Sequence, residues 1–201
     1  MKEKIVVICD GNGDDTLGFA RLAALWGNIF GKADYTTLRF GWRGQHKIDD
    51  NTLHLAYDQR YLEVVQKLEQ LKQRYQEIVF VGISASAHLA ILLLLNHRID
   101  RAIAFDGILR GKLPRGNNSK LITTGLTRLQ EKIATMEAAG TNFKNLTVVM
   151  PRDDNLIPIE QLDVDLPARR TTIDTKNHLV TTSFGMLRYV MTGKAETTTP
   201  R

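Results

Sequence analysis

Cysteine is almost absent: Cys9 is the single one among 201 residues, so no disulfide can form within the chain. A chain of this length without internal cross-links has to rely on one sizeable apolar core, about one α/β domain. Cys9 itself lies in an apolar run and reads as a small packed hydrophobe. Long hydrophobic runs are missing as well. The amino-terminal stretch MKEKIVVICDGNGDD has only a short apolar run before Asp10, too short for the core of a secretion signal. The longest apolar segment, Ala87 to Leu95, contains His88 and is about half of what a membrane-spanning helix needs. A soluble, cytoplasmic protein with no membrane insertion is the expectation. The net charge is +5, but Lys and Arg are dispersed and build no long basic run, so no nucleic-acid partner is expected. Repeats and low-complexity tracts are absent, and the balance of 43% hydrophobic to 24% charged residues is that of an ordinary globular domain.

Short apolar runs alternate with segments of helical spacing. Strands are expected at Ile5–Cys9, Tyr35–Trp42, Val79–Gly82, Ala102–Phe105, Leu146–Met150 and Thr171–Ile173. Between them, helical patterns run from Leu17 to Phe30 and from Ala85 to Asn96, and a third starts after Asp58. That third helix places Tyr61, Val64, Val65, Leu68, Leu71 and Tyr75 on one face. A fourth is marked by Leu126, Leu129, Ile133 and Met136, and Phe184–Met191 is read as a closing helix. Such alternation predicts an α/β fold: a mostly parallel sheet with helices on both faces, three layers α/β/α, in one domain spanning 1–194. The tail AETTTPR, 195–201, should fray. Segment 107–145 reads either as a small lid or as an ordinary crossover helix with a long approach loop.

In GISAS, Gly82 to Ser86, a buried strand hands over to a helix, with small residues on both sides of Ser84. A nucleophile held on a sharp strand-to-helix turn needs small neighbours, because bulky side chains there would strike the adjacent strand and helix. Such a turn lifts the Ser84 hydroxyl above the carboxyl edge of the sheet, beside the positive end of the following helix. The plain alternative is a serine capping that helix.

GISAS resembles the nucleophile elbow of the α/β-hydrolases, with Ser86 where their G-x-S-x-G motif has its second glycine. The resemblance runs from the first strand to the last helix. A serine hydroxyl needs a base, and the base needs an orienting acid. The resemblance implies Ser84 as nucleophile, His178 in TKNHLV as base and Asp154 in PRDDNLIP as acid. Asp106, just past the strand in AIAFDG, is the alternative acid. His46, His54, His88 and His97 lack the family's chain order, and His88 is read as a packing residue. Oxyanion donors are implied at the backbone of Ala85 and in CDGNGDDT at Asn12, with Gly11 beside it. Trp42 of FGWRG and Leu156 are implied pocket residues. The expected function is cleavage of a carboxylic ester or thioester of a small molecule through a Ser84 acyl-enzyme, with no metal or organic cofactor.

Other chemistries fit parts of the pattern. A dinucleotide site could use Gly11 and Gly13, but Thr16 stands in place of the third glycine, and Asp14 and Asp15 would repel a pyrophosphate. A haloacid-dehalogenase-like, magnesium-dependent phosphatase would take Asp10 as nucleophile, Ser84 as phosphate ligand and Asp153 with Asp154 around the metal. It would lack the second aspartate two residues on, where Asn12 stands. A third reading keeps the fold as a non-catalytic binding module.

Overall fold

The structure is a computed structural model and describes residues 2–9, 14–30, 33–40, 53–107, 109, 120–136, 143–151 and 166–173. Its strands are β1 (Lys2–Cys9), β2 (Asp34–Leu38), β3 (Tyr75–Ile83), β4 (Arg101–Phe105), β5 (Leu146–Pro151) and β6 (Arg169–Ile173). Its helices are α1 (Asp14–Phe30), α2 (Leu53–Lys72), α3 (Ala87–Leu95) and α4 (Lys120–Met136). The strands form one sheet in the order β2-β1-β3-β4-β5-β6, and every pairing is parallel.

Alternation along the strands divides the core in two. Ile5, Val7, Cys9, Ile78, Phe80, Ala102, Ala104 and Val148 face one way and pack with residues of α2, α3 and α4. Val6, Ile8, Val79, Val81, Ile103 and Val149 face the other and pack with Ala20, Ala23 and Ala24 of α1. Helices therefore cover both faces, giving the three-layer α/β/α architecture expected from the sequence. Helix α3 is apolar apart from His88 and every residue from Ala87 to Leu95 is buried, because β3 and β4 lie under it and α4 packs against it. Among the described residues no helix is long and apolar enough to cross a membrane.

Several expected boundaries move, the start of α2 among them, at Leu53 rather than after Asp58, and two others move for a visible reason. Tyr75 continues the apolar spacing of α2, yet it opens β3. The Arg74 amide closes the helix on the Leu71 carbonyl at 2.8 Å, Tyr75 pairs with Lys2 of β1, and its hydroxyl donates to Asp34 Oδ2 at 2.7 Å. Strand β2 stops at Leu38 rather than running to Trp42. Beyond it the carbonyls of Arg39 and Phe40 accept from Arg60 Nη2 and Nε, both at 2.9 Å, so α2 holds the exit of the strand. Helix α4 packs on α3 and α2 as the connection between β4 and β5. The expected closing helix and tail lie outside the described residues.

Candidate active site at the carboxyl end of β3

The chain runs outward from β1 to β2 and then returns to the other side of β1 as β3, so the strand order reverses between β1 and β3. Crevices at such switch points are where open α/β sheets bind ligands. Cys9 is level with Gly82 across that boundary, and Ile83 is level with Phe105 on β4. The residues leaving these strand ends converge. Ser84 follows Ile83, and Asp106 follows Phe105.

Ser84 has φ +50°, a left-handed conformation that costs an L-residue about 1–2 kcal/mol. It begins a 3-10 turn, Ser84–Ser86, that runs directly into α3, and its carbonyl accepts from the Ala87 amide. The turn is tight because nothing larger than hydrogen fits around it. A Cβ on Gly82 would lie 2.3 Å from the Ser86 carbonyl oxygen, and one on Gly107 would lie 2.4 Å from that of Ser84. Ser84 and Ala85 are half-buried at this edge. Amides in the first turn of a helical segment have no intrahelical acceptor and point toward an incoming anion, and the Ala85 amide belongs to that set.

Ser86 is 1% exposed, and its hydroxyl bridges two strands. Its Oγ accepts from the Ile83 amide at 2.8 Å and stands 2.9 Å from the Cys9 carbonyl and 3.1 Å from that of Ile83. It serves as a pin where the usual motif has glycine. The sequence signal was present as a serine in a glycine position, but its partners are visible only in the fold.

Asp106 is fully buried and also left-handed, with φ +47°. Its amide donates to the Val149 carbonyl at 2.8 Å, which ties the end of β4 to β5. Gly107 lies against Ala87 as well as Ser84: a Cβ there would fall 2.1 Å from the Ala87 Cβ. The structure thus brings together Ser84, Ala85 and the Asp106–Gly107 corner. Gly11, Asn12, Trp42, Asp154, Leu156 and His178 lie outside the described residues, as do Asp10 and Asp153. Among the described residues no three His, Cys, Asp or Glu side chains gather as a metal site.

At the second position of α3, His88 is fully buried. Its ring lies 6.0 Å from that of Tyr57 and 6.1 Å from that of Phe40. Neither imidazole nitrogen is hydrogen-bonded. Burial is the larger cause and pushes its pKa down to about 4, against an opposing effect of the Ala85 backbone. Gly125 of α4 leaves room for the ring, since a Cβ there would lie 2.0 Å from His88 Nε2. The packing role expected for His88 agrees with this position.

The sequence matches no family model and no curated protein. Solved structures are similar to it in shape. One of the metagenome-derived lipolytic enzymes LipS and LipT superposes with a TM-score of 0.60 at 14% identity, over 90% of this chain and 88% of that one. A hydrolase of the alpha/beta superfamily from Xanthomonas campestris pv. campestris gives 0.60 at 13%, over 94% and 96%. A serine hydrolase from the polyaromatic-hydrocarbon-degrading bacterium Cycloclasticus zankles gives 0.57 at 14%, over 92% and 86%. At such identities the likeness is one of architecture, and the architecture of this chain is the α/β-hydrolase fold.

Proposed function

We propose that the protein is a serine hydrolase that cleaves a carboxylic ester or thioester of a small molecule. The observation that carries this reading is the left-handed Ser84 on the β3-to-α3 turn, crowded by Gly82 and Gly107 at the switch point of the sheet. A cap serine needs no such strain, because an N-cap residue has ordinary extended dihedrals. Strain kept at a small hydroxyl residue is characteristic of functional sites. The names of the solved structures with this fold, lipolytic enzymes and serine hydrolases among them, support the same chemistry.

In this mechanism His178 takes the Ser84 proton as Oγ attacks the carbonyl carbon, and Asp154 orients the imidazole and stabilises its protonated form. The amides of Ala85 and Asn12, with Gly11 beside them, hold the oxyanion. The bond to the leaving alcohol or thiol breaks as His178 returns the proton to it. Water then attacks the acyl-enzyme with the same base and releases the acid. Trp42 and Leu156 line the pocket, and no metal or cofactor enters a step.

Asp106 is a second reading for the acid, favoured by its full burial at the end of β4, one strand from Ser84. The test is labelling with a fluorophosphonate and mapping of the adduct by mass spectrometry. The adduct is expected on Ser84 and absent in Ser84→Ala and His178→Ala. Comparison of Asp154→Asn with Asp106→Asn identifies the acid as the variant that loses labelling. A folded protein that takes no label sinks the hydrolase reading in favour of a binding module or a magnesium phosphatase, the latter tested with Asp10→Asn.

A further inference from the structure

Between α2 and α4, over the carboxyl half of α3, lies a groove of about 350 Å³. That volume is at the lower end of small-molecule sites, about 300–1,000 Å³. Tyr57 and Tyr61 line it from α2, Leu92 and Asn96 from α3, and Arg128 and Lys132 from α4. None of these residues belongs to the elbow. Leu92 is eight residues beyond Ser84 and Asn96 twelve, which places the groove roughly 12–18 Å away along the helix.

The groove has an apolar base in Leu92, which is buried, and aromatic walls. Its polar groups divide into those already used and those not. The Tyr61 hydroxyl accepts from Asn96 Nδ2 at 2.9 Å. Asp58 and Glu131 also line the groove, and Arg128 holds both carboxylates, with Nη2 3.1 Å from Asp58 Oδ2 and Nη1 3.3 Å from Glu131 Oε2. Lys132 and Tyr57 stand apart from these pairs. Lys132 has no carboxylate within ion-pair distance among the described residues. The Tyr57 side chain is 2% exposed and its Oη has no hydrogen-bond partner. Burial pushes its pKa up, so the phenol keeps its proton and can only gain by donating it. An unpaired ammonium beside an apolar floor and aromatic walls calls for a ligand with an acidic group on an apolar body.

We propose that this groove binds a small amphipathic monocarboxylate, with its aryl or alkyl body over Leu92 between the two tyrosines and its carboxylate at Lys132. The assignment does not rest on the Ser84 chemistry. Carboxylates of this kind are also what ester hydrolysis releases, which makes the groove a place where product can bind apart from the nucleophile.

The test uses the full chain carrying Ser84→Ala, so that a ligand at the hydrolytic site cannot be turned over, and reads amide chemical shifts during titration. The probes are 3-phenylpropanoate, 3-phenylpropanol and 3-phenylpropylamine. The acid is expected to bind with a dissociation constant on the order of 1 mM, with shifts at Leu92, Asn96 and Lys132. The alcohol should bind about fivefold more weakly and the amine more weakly still. Lys132→Gln should bring the acid to the level of the alcohol and leave the alcohol unchanged. The proposal is overturned if none of the three binds, if the amine or the alcohol binds as well as the acid, or if the shifts fall at Ser84 and Ala85 instead. It is equally overturned if Lys132→Gln, a half-exposed position that should fold normally, leaves the preference for the acid intact.

Discussion

The Ser86 hydroxyl lies 2.9 Å from the carbonyl oxygen of Cys9, on the strand beside its own, and takes the Ile83 amide at 2.8 Å on its other side. This one side chain locks the turn that carries Ser84 to the end of β1. A glycine at position 86 would leave the turn free to shift against β1. The departure from the usual motif therefore replaces a contact-free residue by a positional restraint.

Ser86→Ala removes that restraint and takes the side-chain acceptor from the buried Ile83 amide. A loss of about 1–3 kcal/mol in urea unfolding is expected, together with slower fluorophosphonate labelling of the folded protein. A variant with unchanged stability and unchanged labelling would show that the hydroxyl restrains nothing.

Ser84→Gly should make the protein more stable while abolishing labelling, because glycine adopts φ +50° without the steric cost a Cβ carries. A gain of up to about 1 kcal/mol is expected, or a Tm higher by about 2–4 °C for a chain of this size. Ser84→Ala keeps the Cβ and should show no such gain. Equal stability of the two variants in a thermal melt would remove the argument from strain.

Gly125→Ala should destabilise by about 1–3 kcal/mol, since its Cβ would fall 2.0 Å from His88 Nε2 in a fully packed region. His88→Ala made alongside it should recover part of the loss, because the methyl then enters the space the imidazole left. A double-mutant cycle measures this coupling. Simple additivity of the two changes would mean that the ring and the glycine do not share one site.

The pH dependence of stability has a definite sign. His88 titrates near 4 in the fold and near 6.5 when unfolded, so between those values the unfolded chain binds more protons and stability rises with pH. The contribution is complete above pH 6.5 and is lost as pH falls toward 4. From pH 7 to pH 5 the wild type should lose about 2 kcal/mol more than His88→Leu does. Parallel losses in denaturant titrations at the two pH values would place the acid sensitivity elsewhere.

The strands were readable because a parallel sheet covered on both faces demands unbroken apolar runs, as in Ile5–Cys9 and Ala102–Phe105. Where periodicity misled, a tertiary contact decided. Tyr75 sits four residues after Leu71 and fits the helical stripe, but Lys2 and Asp34, distant in sequence, draw it into β3. The strand-to-helix turn was legible from its small residues, and Ser84 stands there with a left-handed φ of +50°. What Ser86 does was not legible, because its partner on β1 is 77 residues away. The notch at Gly125 was hidden for the same reason: a glycine inside an amphipathic helix says that something comes close, and only the packing of α4 on α3 says that it is His88.

The pairing of β1 with β3 also sets when the turn at Ser84 can take its place. Gly82 and Cys9 meet only after a chain segment containing α1, β2 and α2 has been gathered between them, and closing so long a loop is entropically unfavourable until the strands on either side dock. A nascent or partly folded chain then has the serine but not its setting. On the proposed reading, labelling of Ser84 in a refolding sample should therefore lag behind helix formation and follow the docking of β3 on β1.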